Sequence, residues 1–138
     1  MFQDRNQVRQ MYLNVWQKLQ QNQLLEPLEA LIADVIELHP EYHNLLTDDA
    51  DIKQREFTPE GGQTNPFLHM GMHIALREQA GADRPAGIKS VYEKLCTERG
   101  PHEAEHAMME CLGQALWQAQ RNNQPPDESD YLECLKKL

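Results

Sequence analysis

No apolar run in this chain approaches the roughly 20 residues that a membrane-spanning helix needs, so it is not read as a membrane protein. Basic residues are few. Thirteen Lys+Arg stand against 22 Asp+Glu, for a net charge of −9. An acidic surface repels phosphate backbones and anionic headgroups, so neither nucleic acid nor a membrane is expected as a partner. Cysteine is equally sparse, with Cys96, Cys111 and Cys134 standing singly and no CxxC pair. An odd number without close spacing argues against a disulfide framework. All three fall in apolar patterns, which predicts buried thiols in a reducing compartment. The opening residues, Met1-Phe2-Gln3-Asp4-Arg5, lack the apolar core of a secretion signal. The expected location is the cytoplasm. Strict polar–apolar alternation is also missing, which excludes a half-buried sheet as the main architecture.

What is present is helical period. Val8, Met11, Tyr12, Val15, Trp16 and Leu19 form one stripe, predicting an amphipathic helix over 3–21. Pro27 suits a helix start, and Leu28, Leu31, Ile32 and Val35 carry the next stripe. Pro40 ends or kinks that helix at His39, because the residue before a proline is pushed out of the α region. A short turn through Tyr42, Leu45 and Leu46 follows. Residues 47–64 are polar, with Pro59, Gly61 and Gly62, and read as a long loop. Asn65-Pro66 supplies a cap and a first-turn proline for a helix to about Ala80. Further helices are predicted from Ile88 to before Gly100, from Pro101 to about Arg121, and after Asp127. The 138 residues suffice for one domain, 1–138, with a real core. The expected fold is all-α, a compact bundle of about four to six helices.

All six histidines fall into pairs four residues apart: His39/His43, His69/His73 and His102/His106. Six histidines make fifteen pairings, of which chance places roughly 0.2 at this spacing. Residues i and i+4 share a helix face, so two imidazoles so placed can reach one ion, and a second helix can complete its sphere. His69 and His73 share their face with Met72, Leu76 and Ala80, which points them into the core. Buried rings need partners for their nitrogens, and a metal supplies one. His102 and His106 lie round from the stripe Ala104, Met108, Cys111, Leu112, beside Met109, Gly113 and Trp117. That helix is apolar on more than one side, as an inner helix is. His39 and His43 are separated by Pro40, so they can complete the site, form another, or only pack. Histidine also suits helix ends.

Glu103 and Glu110 flank His106 on one side, and Glu105 flanks His102 on the other. The run His102-Glu103-Ala104-Glu105-His106 matches HExxH and HxxEH together, with Glu103 or Glu105 as general base. No sheet is evident to hold an extended peptide, and no third ligand follows at a family spacing. Glu103-x-x-His106 matches the ExxH of di-iron bundles once, where two copies are needed. The candidate ligands are therefore His69, His73, His102, His106, Glu105, His39 and His43. Nitrogen donors without a neighbouring thiolate suit zinc, iron, nickel or copper, and suit calcium or magnesium poorly.

Asn65-Pro-Phe-Leu-His-Met-Gly-Met-His73, the Asp83-Arg84-Pro85 turn and His102-Glu-Ala-Glu-His-Ala-Met-Met-Glu-Cys111 resemble a bacterial family known as domain of unknown function 1841. The resemblance takes in His39-Pro-Glu-Tyr-His43 and Pro125-Pro126-Asp127, and so nearly the whole chain. It implies a small bacterial cytoplasmic protein and no particular activity. The ligand style is also similar to that of metal-binding helical bundles such as hemerythrin-like proteins, an analogy of architecture alone.

The leading expectation is a metal-binding helical protein, with metalloenzyme activity open. The competing one is an interaction or assembly module with structural histidines, in which Trp16 and Trp117 offer packing surface and a second copy is the candidate partner. A zinc peptidase is the third.

Overall fold

Prolines set where the helices begin. Pro27, Pro66 and Pro101 each open a helix, where a missing N–H costs nothing because no intrahelical acceptor exists for it. In the computed structural model, residues 5–47 and 65–138 are described. The expected 47–64 loop lies, save Thr47, outside the described residues. Among the described residues the order is α1 (Arg5–Gln20), α2 (Pro27–Glu37), a 3-10 turn (Pro40–Tyr42), α3 (His43–Thr47), α4 (Pro66–Ala82), α5 (Ile88–Arg99), α6 (Pro101–Asn122) and α7 (Glu128–Lys136). The class is all-α, with no strand among the described residues. Among the described residues seven α-helices stand where four to six were expected, because the turn after Pro40 closes into a helix of its own, α3. None of these helices is long and apolar enough to cross a membrane.

The chain divides into two units, Met1–Gly71 and Met72–Leu138. In the first, α1 and α2 bury Tyr12, Val15, Ile32 and Val35 of their two stripes together with Leu13, Ala33 and Ile36, while Leu28 of the second stripe is exposed. Tyr12 meets Phe67 edge-on at 5.3 Å. Arg9 is buried with its guanidinium 5.0 Å above the Phe67 ring, a cation–π contact that hides its apolar stem. Lys18 and Glu29 tie α1 to α2 at 2.8 Å. Asn65 caps α4 as its sequence position predicts, its side-chain oxygen accepting from the N–H groups of Phe67 (3.0 Å) and Leu68 (3.3 Å).

The second unit packs Leu76, Ile88, Leu95, Ala104, Met108, Met109, Leu112, Tyr131 and Leu135 into one apolar cluster. Each fully buried large side chain stabilises by about 1.5–3 kcal/mol. Asp83 accepts from the N–H groups of Gly87 (3.0 Å) and Lys89 (3.1 Å), capping α5 from four residues before its own cap position. Gly100 joins α5 to α6 at φ +85°, a conformation a side chain rarely takes. Tyr131 of α7 donates to the Gln79 side chain of α4 at 2.7 Å. The face of α6 beyond its histidines is not interior: Leu116 and Trp117 are exposed, with Arg121 over the Trp117 ring at 5.2 Å. Of the residues that made α6 read as apolar on a second side, Met109 is buried, Gly113 is half-buried and Trp117 is exposed.

The cysteines depart from expectation. Cys111 and Cys134 form a disulfide between α6 and α7, with Cα atoms 5.8 Å apart, and Cys96 keeps a free thiol. Their 23-residue separation carries no pairing signal. The pairing arises only because α7 folds back on α6. Disulfides are rare in reducing compartments, so this bond removes the cysteine argument for a cytoplasmic location.

Candidate metal centre

α2 ends at Glu37, and two residues on stands His39, whose φ of −126° and ψ of 65° are the conformation forced on a residue before proline. The turn leaves the last carbonyls of α2 needing donors, and two histidines supply them. His39 Nδ1 donates to the Val35 carbonyl at 2.8 Å. His43 Nε2 donates to the Ile36 carbonyl at 2.9 Å. A carbonyl can only accept, so each bond assigns the tautomer. His39 carries its proton on Nδ1 and offers the Nε2 lone pair. His43 spends Nε2 on the backbone, and its ring lies 4.4 Å from that of Trp16. His39 is buried, stacks on Tyr42 at 5.4 Å and meets His69 edge-on at 5.0 Å.

Along α4 and α6 a second arrangement forms. His73 and Glu105 are both fully buried. His73 Nδ1 donates to Glu105 Oε1 at 2.7 Å. The other carboxylate oxygen accepts from Arg77 Nε at 2.9 Å and from the Tyr92 hydroxyl at 2.5 Å. Burial alone pushes the Glu105 carboxyl upward. The hydrogen bonds from His73, Tyr92 and Arg77, with the Arg77 charge, outweigh it and hold the group below its ordinary range. Tyr92 is pushed up, first by burial and then by this carboxylate. An ionised Glu105 only accepts, so His73 also carries its proton on Nδ1 and offers Nε2. This is the carboxylate–histidine pairing that orients metal-ligating imidazoles.

His73 lies 5.1 Å from His106 and 5.4 Å from His102, centroid to centroid. His102 and His106 approach closest, with Nε2 atoms 3.0 Å apart and rings nearly perpendicular. The second unit therefore brings three imidazoles together, those of His73, His102 and His106, while the first pairs His39 with His69.

Of the seven residues singled out by sequence, His73, His102 and His106 therefore form one group, Glu105 stands behind His73, and His39 meets His69 in the first unit. His43 turns to Trp16 and the end of α2. Glu103, the general base of an HExxH reading, faces solvent, and Glu105 is occupied by three donors. Gly113 receives the tip of Met72 at 3.8 Å from where its Cβ would stand. Two participants escaped the sequence reading. Arg77 follows His73 by four residues and so shared its face, which was the available signal. Tyr92 gave none, since its hydroxyl matters only once α5 packs on α6.

No curated protein and no solved structure matches this chain. Residues 4–137 match one protein family throughout. The chain belongs to the family described as Domain of unknown function (DUF1841).

Proposed function

We propose that this protein binds one transition-metal ion through His73, His102 and His106. The observation that carries the reading is the convergence of these three imidazoles, with ring centroids 4.3, 5.1 and 5.4 Å apart. A tautomer supports it. His73 commits Nδ1 to the Glu105 carboxylate and directs ligation to Nε2. Neutral nitrogen donors without thiolate fit zinc, iron, nickel or copper. They leave the charge of the ion largely uncompensated, apart from Glu105 behind His73. Such a centre is a strong Lewis acid toward water or a small anion.

The test is elemental analysis of protein purified without a histidine tag. One equivalent of metal is expected, lost on treatment with a chelator. Metal-free protein that also fails to take up zinc, iron, nickel or copper on addition sinks the proposal.

A second reading has one observation in its favour. The hydrogen bonds from His39 and His43 to the end of α2 are structural in their own right. In that reading the histidines serve packing, and the protein is an assembly module, with exposed Leu116 and Trp117 as its contact surface. The same measurement separates the two.

A further inference from the structure

We infer that Cys134 is a thiol-exchange site, at which a small cationic thiol attacks the Cys111–Cys134 disulfide of the folded protein and forms a mixed disulfide. The reaction is independent of any metal at His73, His102 and His106.

The position of the disulfide carries the argument. Both cysteines stand on the wall of a groove of about 320 Å³ between α6 and α7. A groove of that size admits a thiol of a few heavy atoms. The two sulfurs are placed unequally. Cys111 is 2% exposed and belongs to the apolar cluster with Met108 and Leu112. Cys134 is half-buried, in the last turn of α7. Exchange begins with a thiolate reaching a sulfur, so access decides which of the two is attacked. The reachable one is Cys134.

The chemistry closes without a further oxidant. The small thiolate bonds to Cys134 Sγ, the bond between the two Sγ atoms breaks, and the electron pair leaves on Cys111, which takes up a proton. A second thiol attacking the mixed disulfide releases Cys134. The protein disulfide is then reduced by two electrons, and the two small thiols are oxidised to their own disulfide.

Charge selects the thiol. Asp127, Asp130 and Glu133 line the groove together with Lys137, three carboxylates against one ammonium. All lie on the short segment that carries Cys134. Within a Debye length of the sulfur, this surplus favours a thiol bearing an ammonium over one bearing a sulfonate by about tenfold at low salt. The competing role is a sealed staple, reduced only when the chain unfolds.

The test treats the untagged protein with cysteamine and, separately, with mercaptoethanesulfonate, thiols of similar size and opposite charge. Acid quenching, alkylation and mass spectrometry follow loss of the disulfide and locate the adduct, with rates compared per thiolate. The expected result is an adduct on Cys134 with Cys111 alkylated, and cysteamine about tenfold faster at low salt. Asp130→Asn combined with Glu133→Gln keeps the Asp127 cap of α7 and leaves one carboxylate against one ammonium in the groove. It is expected to cut the preference to about twofold or less. Glu93→Gln combined with Glu98→Gln changes the net charge equally at exposed residues that do not line the groove, and is expected to keep most of the preference. An adduct on Cys111 overturns the inference. So does a reduction rate that rises with urea in step with unfolding, or an equal loss of preference in the two double variants.

Discussion

His39/His43 and His102/His106 share a spacing and reach opposite outcomes. On α6 no residue interrupts the helix, and the two rings meet with their Nε2 atoms 3.0 Å apart. After α2, Pro40 interrupts the pair, and the rings part company. His39 turns inward with Nδ1 on the Val35 carbonyl, while His43 caps the Ile36 carbonyl and lies against Trp16. Four-residue spacing is thus a statement about one face only while the helix persists. Where it breaks, the same residues become helix-terminal donors, a task any unsatisfied carbonyl in a last turn creates.

The strongest way to break this contrast is to remove one ring from each pair. His106→Ala is expected to drop metal from one equivalent to background. His43→Ala is expected to retain the full equivalent. Elemental analysis of the two untagged variants reads both. Loss in His43→Ala, or retention in His106→Ala, would reverse the roles assigned to the pairs.

The second effect concerns what holds α6 still. Five residues beyond His106, Cys111 is tied to Cys134 of α7. Closing a loop with a sequence separation of 23 is worth about 3 kcal/mol in the chain-entropy account. Cys134→Ser should lower unfolding stability by that amount in urea titrations, and a reducing agent should destabilise the wild type equally while leaving the variant unchanged. A difference below about 1 kcal/mol would show that the bond contributes little to the stability of α6 and α7.

Most of the helices were legible in the residues, for reasons that are local. Pro27, Pro66 and Pro101 marked starts, Pro40 marked a stop, and Asn65 and Asp127 marked caps, the latter accepting from the Asp130 N–H at 3.1 Å. The candidate site was legible only as a set of residues, through the spacing of the histidines. What could not be read was tertiary. The disulfide depends on α7 returning to α6, the Tyr92 bond on α5 meeting α6, and the exposure of Trp117 on what α6 fails to pack against. Glu105 shows the boundary well. Its place among the charged residues near His102 drew attention, but its three donors lie 32, 28 and 13 residues away.

Glu105 supplies the third prediction, because only the α6 side of the comparison has a carboxylate behind a ring. Glu105→Gln keeps the shape and removes the charge that orients His73. Metal affinity should fall about 10- to 100-fold, as for other outer-sphere partners. The sign of the pH effect is fixed as well. The folded-state value lies below the ordinary 4.5, so the ionised group contributes stability that is complete above the unfolded value and is lost as pH falls through the depressed one. Acid unfolding followed by circular dichroism should therefore move to higher pH in the metal-free protein when Glu105 is replaced, because the variant lacks that stability from the start. An unchanged acid midpoint would mean that the network of His73, Arg77 and Tyr92 does not favour the charged carboxylate.

The smallest effect sharpens the other side. If His43 serves only the end of α2, its removal costs a hydrogen bond and a ring contact and nothing more. The bond to the Ile36 carbonyl is part-buried, and the Ile36 carbonyl also accepts from the His39 N–H at 3.0 Å, so losing one donor does not orphan it. The contact with Trp16 is a tilted pair with centroids 4.4 Å apart, worth about 0.5–1.5 kcal/mol. His43→Ala should therefore cost about 1–2 kcal/mol in chemical denaturation. His43→Phe, which restores a ring against Trp16 but not the donor, should recover more than half of that loss. Equal losses in both variants would assign the stability to the hydrogen bond and not to the ring. Pro40 would then have converted His43 from half of a ligand pair into a helix cap, with the contact to Trp16 incidental.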